Sequence, residues 1–475
     1  MIGSKAPEIS NFEWLNTDKS LTLKELNGYI IVLDFWTYCC INCMHMINTL
    51  QNIEEIYSNK PVVVIGIHSA KFYNEQIKEN VKQAIERYEI KHPVVLDKDM
   101  KIWRAYGVNA WPTIVIIDPK GYIIYKQAGE GQDEYIKDTI DTLLARHRIV
   151  KEPFKLKNNI KNKRILSFPA KISFNNEMLA IADSNNNRVL IASVDGKIEE
   201  IVGGEKGFMD GELENARFHK PQSVLWLDNK IYVADTWNHA LREIDLKKKI
   251  VKTLAGNGQE GFYLTSNDAH YALLNSPWDL AFKDSYLYIA MAGLHQIWRY
   301  DIERERIEVF AGNGYEGLMD GSIEEAEFAQ PSGLSISDDK LYVADSETSS
   351  IRAIDLKDEI VKTIVGKDLF IFGYKDGRLS DALLQHPMGL DINDERIYVA
   401  DTYNHAIRVI YNNSIYTLIS SNIKCTPEEC NTLMLYEPTG IKYYKRRLYI
   451  SDTNNHLIRV YNLDTNILDT LKIRE

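Results

Sequence analysis

Hydrophobic positions along the chain follow two different patterns, and the change falls near residue 150. In the first part, short runs of β-branched residues alternate with segments of helical period. The runs YIIVLDFW (29–36) and PVVVIGIH (61–68) are long enough to cross a sheet that is buried on both faces. Between them, apolar residues recur at helical spacing from Cys43 to Tyr57. The pattern predicts a β-α-β unit.

The same alternation continues to about residue 147. Strands are predicted at 113–118 and 122–126, on either side of the turn residues Pro119-Lys120-Gly121. A polar helix is predicted from Gln132 to about His147. We therefore expect an α/β domain over residues 1–147 and, because residues 148–163 are basic and polar, a solvated linker after it.

From residue 164 onward the helical period disappears, and a unit of roughly 50 residues recurs six times. Each copy carries an apolar strand that ends in Asp or, once, in Met: LAIAD (179–183), IYVAD (231–235), LYIAM (287–291), LYVAD (341–345), IYVAD (397–401) and LYISD (448–452). Each unit has four short strands, and such a sheet buries its faces only against neighbouring copies. The repeat predicts an all-β, six-bladed β-propeller over residues 164–475.

A turn follows each of these strands, and in three copies it reads Asn-His-Ala or Asn-His-Leu. This resembles the NHL repeat family, whose members form β-propellers. The equivalent positions are Asn187, His239, His295, Ser349, His405 and His456. A histidine ring suggests a metal site, but a feature that repeats with the blade favours a structural turn, in which Asp183, Asp235, Asp345, Asp401 and Asp452 bond nearby backbone N–H groups. We therefore predict no metal, and Met291 must hold its turn differently.

Composition narrows the classes of function. The formal net charge of −11 argues against a general nucleic-acid-binding protein, which needs a basic face. No apolar run approaches the roughly 18 residues of a membrane span, and the N-terminus lacks the pattern of an export signal. We expect a soluble, cytoplasmic monomer without a cofactor. Five cysteines are too few for a disulfide scaffold, so redox chemistry is the better interpretation of the cluster FWTYCCINCMHM (35–46).

Three thiols lie in that cluster. Cys40 and Cys43 have the spacing of a dithiol at the start of a helix, where unpaired N–H groups stabilise a thiolate. Cys40 is therefore predicted to be the nucleophile and Cys43 the resolving thiol. Cys39 is either a buried small residue or a third redox-active thiol. A bond between adjacent cysteines would be strained, which favours Cys40–Cys43 as the oxidised pair. Cys425 and Cys430 are expected to be free thiols.

Residues 1–147 resemble the thioredoxin superfamily, in particular its TlpA-like branch. The resemblance rests on Asp34-Phe35-Trp36, on Cys40-Ile41-Asn42-Cys43 and on Trp111-Pro112-Thr113. It implies that Asp34 is a buried acid that assists deprotonation of Cys43 and that Pro112 is a cis residue beside the sulfurs. It also implies substrate contacts at Trp36, Trp111 and Thr113, with the backbone before Pro112 pairing with an extended segment.

The two halves together resemble NHL repeat-containing proteins that carry an N-terminal thioredoxin-like domain. This implies a thiol–disulfide oxidoreductase whose propeller recruits a protein substrate or partner. The alternative is a protein-interaction scaffold in which the thioredoxin-like domain is structural and not catalytic. Cys39 stands where the family usually has tryptophan, and Ile41-Asn42 replaces pairs that contain proline or glycine, which leaves reduction potential and substrate open.

Overall fold

The computed structural model describes residues 2–147, 151–156, 163–420 and 435–475. Cys425 and Cys430 lie outside the described residues. The chain divides into two units, Met1–Asn162 and Lys163–Glu475. Among the described residues, no helix is long and apolar enough to cross a membrane.

The first unit is a mixed sheet with helices on its faces. In chain order its elements are β1 Glu13–Leu15, β2 Ile30–Trp36, α1 Ile41–Ile56, β3 Val62–His68, a 3₁₀ turn Asn74–Gln76, α2 Lys78–Arg87, β4 Val94–Leu96, α3 Lys101–Ala105, β5 Thr113–Ile117, β6 Ile123–Ala128 and α4 Asp133–Arg146. The strand order is β1-β4-β3-β2-β5-β6. Strands β2, β3 and β4 are parallel, and β1, β5 and β6 run antiparallel to their neighbours. The predicted β-α-β unit is confirmed.

Strand β2 is buried on both faces, and its alternation assigns each residue to a face. Ile31, Leu33 and Phe35 belong to the core on one side. Ile30 and Val32 pack on the other side with Met46 and Leu50 of α1 and with Ile136 of α4. Because side chains alternate along a strand, Asp34 shares the face of Ile30 and Val32. The only carboxylate of β2 therefore points toward helix α1.

Part of the predicted linker packs against the first unit. The hydroxyl of Tyr29 donates to the carbonyl of Glu152 at 3.0 Å, and the Tyr29 ring meets Phe154 edge to face at 6.1 Å. The Lys151 ammonium lies 5.5 Å from the centre of the same ring. Residues 151–156 are therefore anchored by aromatic contacts rather than fully solvated.

The second unit contains six antiparallel sheets, as the repeat predicts. Their main strands are β7 Pro169–Asn175, β8 Met178–Asp183, β9 Arg188–Ser193 and β10 Ile198–Gly203; β12 Ser223–Leu227, β13 Lys230–Asp235, β14 Ala240–Asp245 and β15 Ile250–Ala255; β16 Pro277–Lys283, β17 Tyr286–Met291, β18 Gln296–Asp301 and β19 Arg306–Ala311; β21 Pro331–Ser337, β22 Lys340–Asp345, β23 Ser350–Asp355 and β24 Ile360–Val365; β26 Gly389–Asn393, β27 Arg396–Asp401, β28 Ala406–Tyr411 and β29 Ser414–Ser420; β30 Gly440–Tyr444, β31 Arg447–Asp452, β32 Leu457–Asn462 and β33 Ile467–Leu471. The first strands of the blades contact one another around the ring.

Three two-residue strands add to this pattern. They are β11 Gly211–Glu212, β20 Gly321–Ser322 and β25 Gly377–Arg378. Each pairs with the outermost strand of its blade, β15, β24 or β29. They lie in the connections between blades, so these connections take part in the blade sheets.

The aspartate that ends the second strand of a blade organises the turn, as predicted. In the second blade, Asp235 accepts the backbone N–H of His219 at 2.8 Å with one oxygen. Its other oxygen accepts from Asn238 at 2.8 Å and from the buried Arg242 at 2.7 Å. The same backbone contact recurs for Asp183, Asp345, Asp401 and Asp452. Both oxygens of this buried carboxylate are thus satisfied.

Blade three replaces this arrangement as a whole. The sulfur of Met291 accepts the backbone N–H of Asn275 at 3.3 Å, in place of the aspartate oxygen. Trp298 stands where Arg242 stands in blade two, and both Met291 and Trp298 are fully buried. Losing the acid and the arginine together leaves no unpaired buried charge, so two apolar side chains can take their place.

The fourth residue after the end of each blade's second strand joins neighbouring blades. Nδ1 of His239 accepts the backbone N–H of Ser276, in the next blade, at 3.0 Å. The equivalent pairs are His295 with Gln330, His405 with Glu437, Asn187 with Lys220, Ser349 with His386 and His456 with Phe168. In each of the six pairs, the residue that donates its backbone N–H has a positive φ. Because Nδ1 of each histidine is engaged, the observed role of the histidine ring is structural.

The pair His456–Phe168 closes the ring between the last blade and the first. A second contact supports this closure, because Arg474 exchanges backbone hydrogen bonds with Gly196 and Ile198 at 2.9 and 2.8 Å. Residues near 474 therefore pair beside the first blade.

We expect His239→Ala to lower the free energy of unfolding by about 1–3 kcal/mol, because a buried backbone N–H of Ser276 loses its acceptor. His239→Asn should change it much less, since asparagine offers an oxygen and tolerates the left-handed backbone, as Asn187 does in blade one. Denaturant unfolding of the three proteins measures the difference. An equal loss of unfolding free energy in both variants would show that this hydrogen bond does not stabilise the fold.

Candidate active site

The site lies where β2 ends and α1 begins. Cys40 is the N-cap of α1, and its sulfur accepts the backbone N–H of Cys43 at 3.3 Å. The helix therefore begins at Ile41, two residues before the predicted start, because Cys40 caps it. Cys40 is half-buried, whereas Cys39 and Cys43 are fully buried. Cys40 is thus the thiol of this cluster that a substrate can reach.

Cys43 lies one helical turn deeper, in surroundings that favour its neutral form. Burial raises the pKa of the Cys43 thiol well above its ordinary value. Contact with the Cys40 sulfur and the nearby Asp34 carboxylate raise it further, since an added negative charge would be repelled. Cys43 therefore needs a base before it can attack a disulfide.

Asp34 is placed to be that base. It is 1% exposed, and burial raises its pKa to about 7, while the charge of His92 acts in the opposite direction. Neither carboxylate oxygen has a hydrogen-bond partner among the described residues. A carboxylate with a pKa near neutrality can accept and return a proton under physiological conditions.

Cys39 is held by a residue that the sequence did not reveal. The backbone N–H of Cys39 donates to the buried Glu75 at 2.8 Å. The other oxygen of Glu75 accepts the backbone N–H groups of Lys71 and Phe72, each at 2.9 Å. Glu75 thus ties the loop after β3 to the cysteine cluster. The burial of Cys39 fits its interpretation as a small core residue.

The predicted proline loop is present. The Trp111–Pro112 peptide bond is cis, as the resemblance implies; Trp111 is half-buried and Pro112 is buried. The indole of Trp111 donates to the carbonyl of Ser69 at 3.0 Å. The hydroxyl of Thr113 donates to the carbonyl of Ala110 at 2.7 Å. Of Trp111, Pro112 and Thr113, Trp111 is the one that remains accessible to a substrate.

The structure corrects two proposed substrate contacts. The side chains of Trp36 and Thr113 are 0% and 1% exposed. Trp36 lies on the face of β2 that also carries Asp34, and Thr113 is buried with its hydroxyl bonded to the carbonyl of Ala110. Side chains at these positions hold the fold and do not touch a substrate in this conformation.

Three further residues near Asp34 were missed: Glu54, Gly66 and His92. Nothing in the local sequence around Glu54 or His92 marks them, since the two are 38 residues apart. Gly66 is the sequence feature that could have indicated this part of the site. It is an isolated glycine within the strand VVVIGIH, and such a glycine indicates close approach of another group.

Comparisons with known proteins agree with both halves. A family model described as thioredoxin-like matches residues 28–123, and one described as NHL repeat matches residues 328–354 and 384–410. Over 137 residues, 29% of this chain, the first part is 30% identical to "Thiol-disulfide oxidoreductase ResA" of Bacillus cereus, covering 75% of that protein. The chain thus joins a thioredoxin-like domain, homologous to thiol–disulfide oxidoreductases, to an NHL β-propeller.

Longer relatives share both parts. "NHL repeat-containing protein 2" of Gallus gallus is 39% identical over 98% of this chain and 71% of its own length. "Protein SUPPRESSOR OF QUENCHING 1, chloroplastic" of Arabidopsis thaliana is 41% identical over 96% of this chain, which spans 46% of the plant protein. The chain belongs to the family of NHL repeat-containing proteins with a thioredoxin-like domain.

Mild oxidation is expected to join Cys40 to Cys43 and to leave Cys39 as a thiol. The reason is geometric: Cys40 caps the helix with its sulfur against the first turn, whereas Cys39 is adjacent in sequence and would form a strained ring. Peptide mapping after alkylation of the denatured protein measures the pairing. Recovery of a bond to Cys39 would contradict this arrangement.

Proposed function

We propose that the protein catalyses thiol–disulfide exchange through Cys40 and Cys43. The observation that carries this proposal is the pairing of one reachable thiol at the helix N-cap with one buried thiol beside an unpartnered carboxylate, Asp34. The first arrangement suits attack on an external disulfide, and the second suits a proton transfer that must be shielded from solvent.

The reaction has two steps. The Cys40 thiolate attacks one sulfur of a substrate disulfide, forms a mixed disulfide and releases the other sulfur as a thiolate. Cys43 then gives its proton to Asp34 and attacks the Cys40 sulfur, which releases the second substrate thiolate and forms the Cys40–Cys43 disulfide. The substrate gains two electrons and the enzyme loses two. An external dithiol must reduce the enzyme for another cycle.

The similarity to an oxidoreductase named for this chemistry supports the proposal. We also propose that the protein acts in the cytoplasm, as the sequence predicts. The plant relative is named as chloroplastic, so its compartment differs. A reducing compartment would favour the reductive direction written above.

Cys40→Ser should reduce a model aromatic disulfide at least about 100-fold more slowly than the unaltered protein, because no reachable thiolate remains in the cluster. Cys43→Ser should still attack but should accumulate the mixed disulfide, since resolution is lost. Release of the aromatic thiolate measures the rate, and intact mass measures the adduct.

Cys39→Ser provides the matched control, because it removes an adjacent thiol without removing either member of the proposed pair. It should retain both steps. Equal rates for the unaltered protein and Cys40→Ser would exclude the catalytic assignment and leave the interaction scaffold as the better interpretation.

We further propose that the propeller recruits the protein substrate. The connections from the outermost strand of one blade to the first strand of the next carry exposed aromatic residues: Phe208, Tyr271, Tyr315 and Phe370 are 38, 74, 73 and 68% exposed. Since the blades repeat one topology, these connections lie at one end of the propeller. Exposed aromatic residues are common anchors in protein interfaces, which supports this end as the docking surface.

The double variant Tyr271→Ala/Tyr315→Ala, made in the Cys43→Ser protein, should trap fewer cellular proteins as mixed disulfides and react unchanged with a small aromatic disulfide. The control is Tyr135→Ala, which removes a 68% exposed tyrosine from α4 of the first unit. Quantitative mass spectrometry of the trapped proteins measures the effect. An unchanged trapped set would contradict recruitment through this surface.

A further inference from the structure

Gly66 opens a space beside Asp34. The two residues are directly opposite each other in the parallel pair of β2 and β3. A Cβ atom at residue 66 would lie 2.8 Å from Nε1 of Trp36, 3.2 Å from the Val94 side chain and 3.4 Å from Nε2 of His92. Any side chain at this position would therefore displace its neighbours. The glycine lets His92 approach the sheet next to the buried carboxylate.

His92 is itself held by a carboxylate. Its Nδ1 lies 3.1 Å from Oε1 of Glu54, a residue of α1 whose side chain is 7% exposed. When Nδ1–H donates to Glu54, Nε2 is the nitrogen left with a lone pair. That nitrogen is the one on the side of Gly66. Glu54 thus selects the form of His92 that can accept a proton from the direction of Asp34.

The polar atoms around this space are buried and lack partners among the described residues. They include both oxygens of Asp34, Nε1 of Trp36 and the second oxygen of Glu54. Buried polar groups are normally paired, and unpaired ones cluster where a structure performs chemistry. In the propeller, by contrast, the buried Asp235 has three partners.

We propose that His92 and Glu54 form a buried proton relay that takes the Cys43 proton from Asp34 and so controls the resolving step. This inference rests on the thiol chemistry proposed above. The proton moves from the Cys43 sulfur to Asp34 and from Asp34 to Nε2 of His92, directly or through one water. The resulting imidazolium is paired with Glu54, and the Cys43 electrons form the bond to the Cys40 sulfur.

The direction of the effect follows from the charges. Once His92 holds the transferred proton, its positive charge opposes the rise in the Asp34 pKa that burial causes. Removing His92 should therefore raise that pKa above about 7 and leave less ionised Asp34 to accept the proton. Cys40 attack precedes this transfer, so only the second step should slow.

Other ionisable groups near Asp34 come from three elements. Helix α1 contributes Cys40, Cys43 and Glu54, strand β3 contributes His68, and the loop before β4 contributes His92. Burial lowers the pKa of His68 to about 3, so this imidazole stays neutral in any assay near neutrality. Strand β5 places the apolar Ile114 opposite Asp34. His92, whose Nε2 lies on the side of Gly66, is therefore the imidazole that the relay uses.

The test uses the full-length, reduced protein and an aromatic disulfide, 5,5′-dithiobis(2-nitrobenzoic acid). Cys40 attack releases one nitrothiolate, and Cys43 attack releases the second, so stopped-flow absorbance separates the two steps. In His92→Gln, the second release should slow about tenfold near neutrality, and its pH midpoint should rise by about one unit, while the first release stays within about twofold.

Glu54→Gln gives a second variant that keeps an oxygen for the Nδ1–H bond and therefore the packing. In Glu54→Gln, the pH midpoint of the second release should also rise, by about half a unit. Glu55→Gln is the matched control, because it removes one negative charge from the adjacent, exposed position of α1. It should move neither step.

The outcomes separate this inference from the proposed function. Suppose that both thiolate releases require Cys40 and Cys43, but that the pH midpoint of the second release in His92→Gln and in Glu54→Gln equals that of the unaltered protein. This result would overturn the relay and leave the proposed function standing. Equal slowing of both releases without a shift would assign His92 a purely structural role. Absence of thiolate release that depends on Cys40 would overturn the proposed function itself. If His92→Gln does not fold, the Glu54→Gln midpoint decides.

Discussion

A carboxylate removed from water must find partners, and this requirement determines where the protein is stable and where it can react. The propeller buries an aspartate in five of its six blades and gives each one backbone and side-chain donors. The remaining blade, blade three, lacks both the acid and the arginine, so no charge is left alone. In the first unit, Asp34 is buried and no donor among the described residues reaches its carboxylate. The same residue type is thus structural in one unit and chemically available in the other.

This contrast also explains why the cysteine pair is asymmetric. Cys40 gains a backbone donor from its own helix and remains reachable, whereas Cys43 sits among groups that oppose its ionisation. The proposed exchange reaction needs both properties, because a nucleophile must meet its substrate and a resolving thiol must wait until the mixed disulfide exists. The helix start supplies the first property, and the buried sheet face supplies the second.

Most of the fold was readable from the sequence because its signals are local and periodic. The β-α-β unit, the six repeats and the turn aspartates depend on residues close together in the chain or repeated at a fixed interval. The contacts that hold the site are of another kind. Glu75 meets Cys39 across 36 residues, and Glu54 meets His92 across 38, with no motif at either end. Burial of Trp36 and Thr113 was likewise invisible, because a family motif does not say which side chains face the core.

The ring closure sets an order of events during synthesis. The first blade cannot be completed on its open side until Arg474 has emerged from the ribosome, because Arg474 pairs with Gly196 and Ile198 across more than half of the sequence. The thioredoxin-like domain needs no such wait, since all its strands and helices lie before residue 147. Domains generally fold as units as they emerge. The thioredoxin-like domain can therefore be complete, with Cys40 reachable, while the nascent propeller is still an open row of blades.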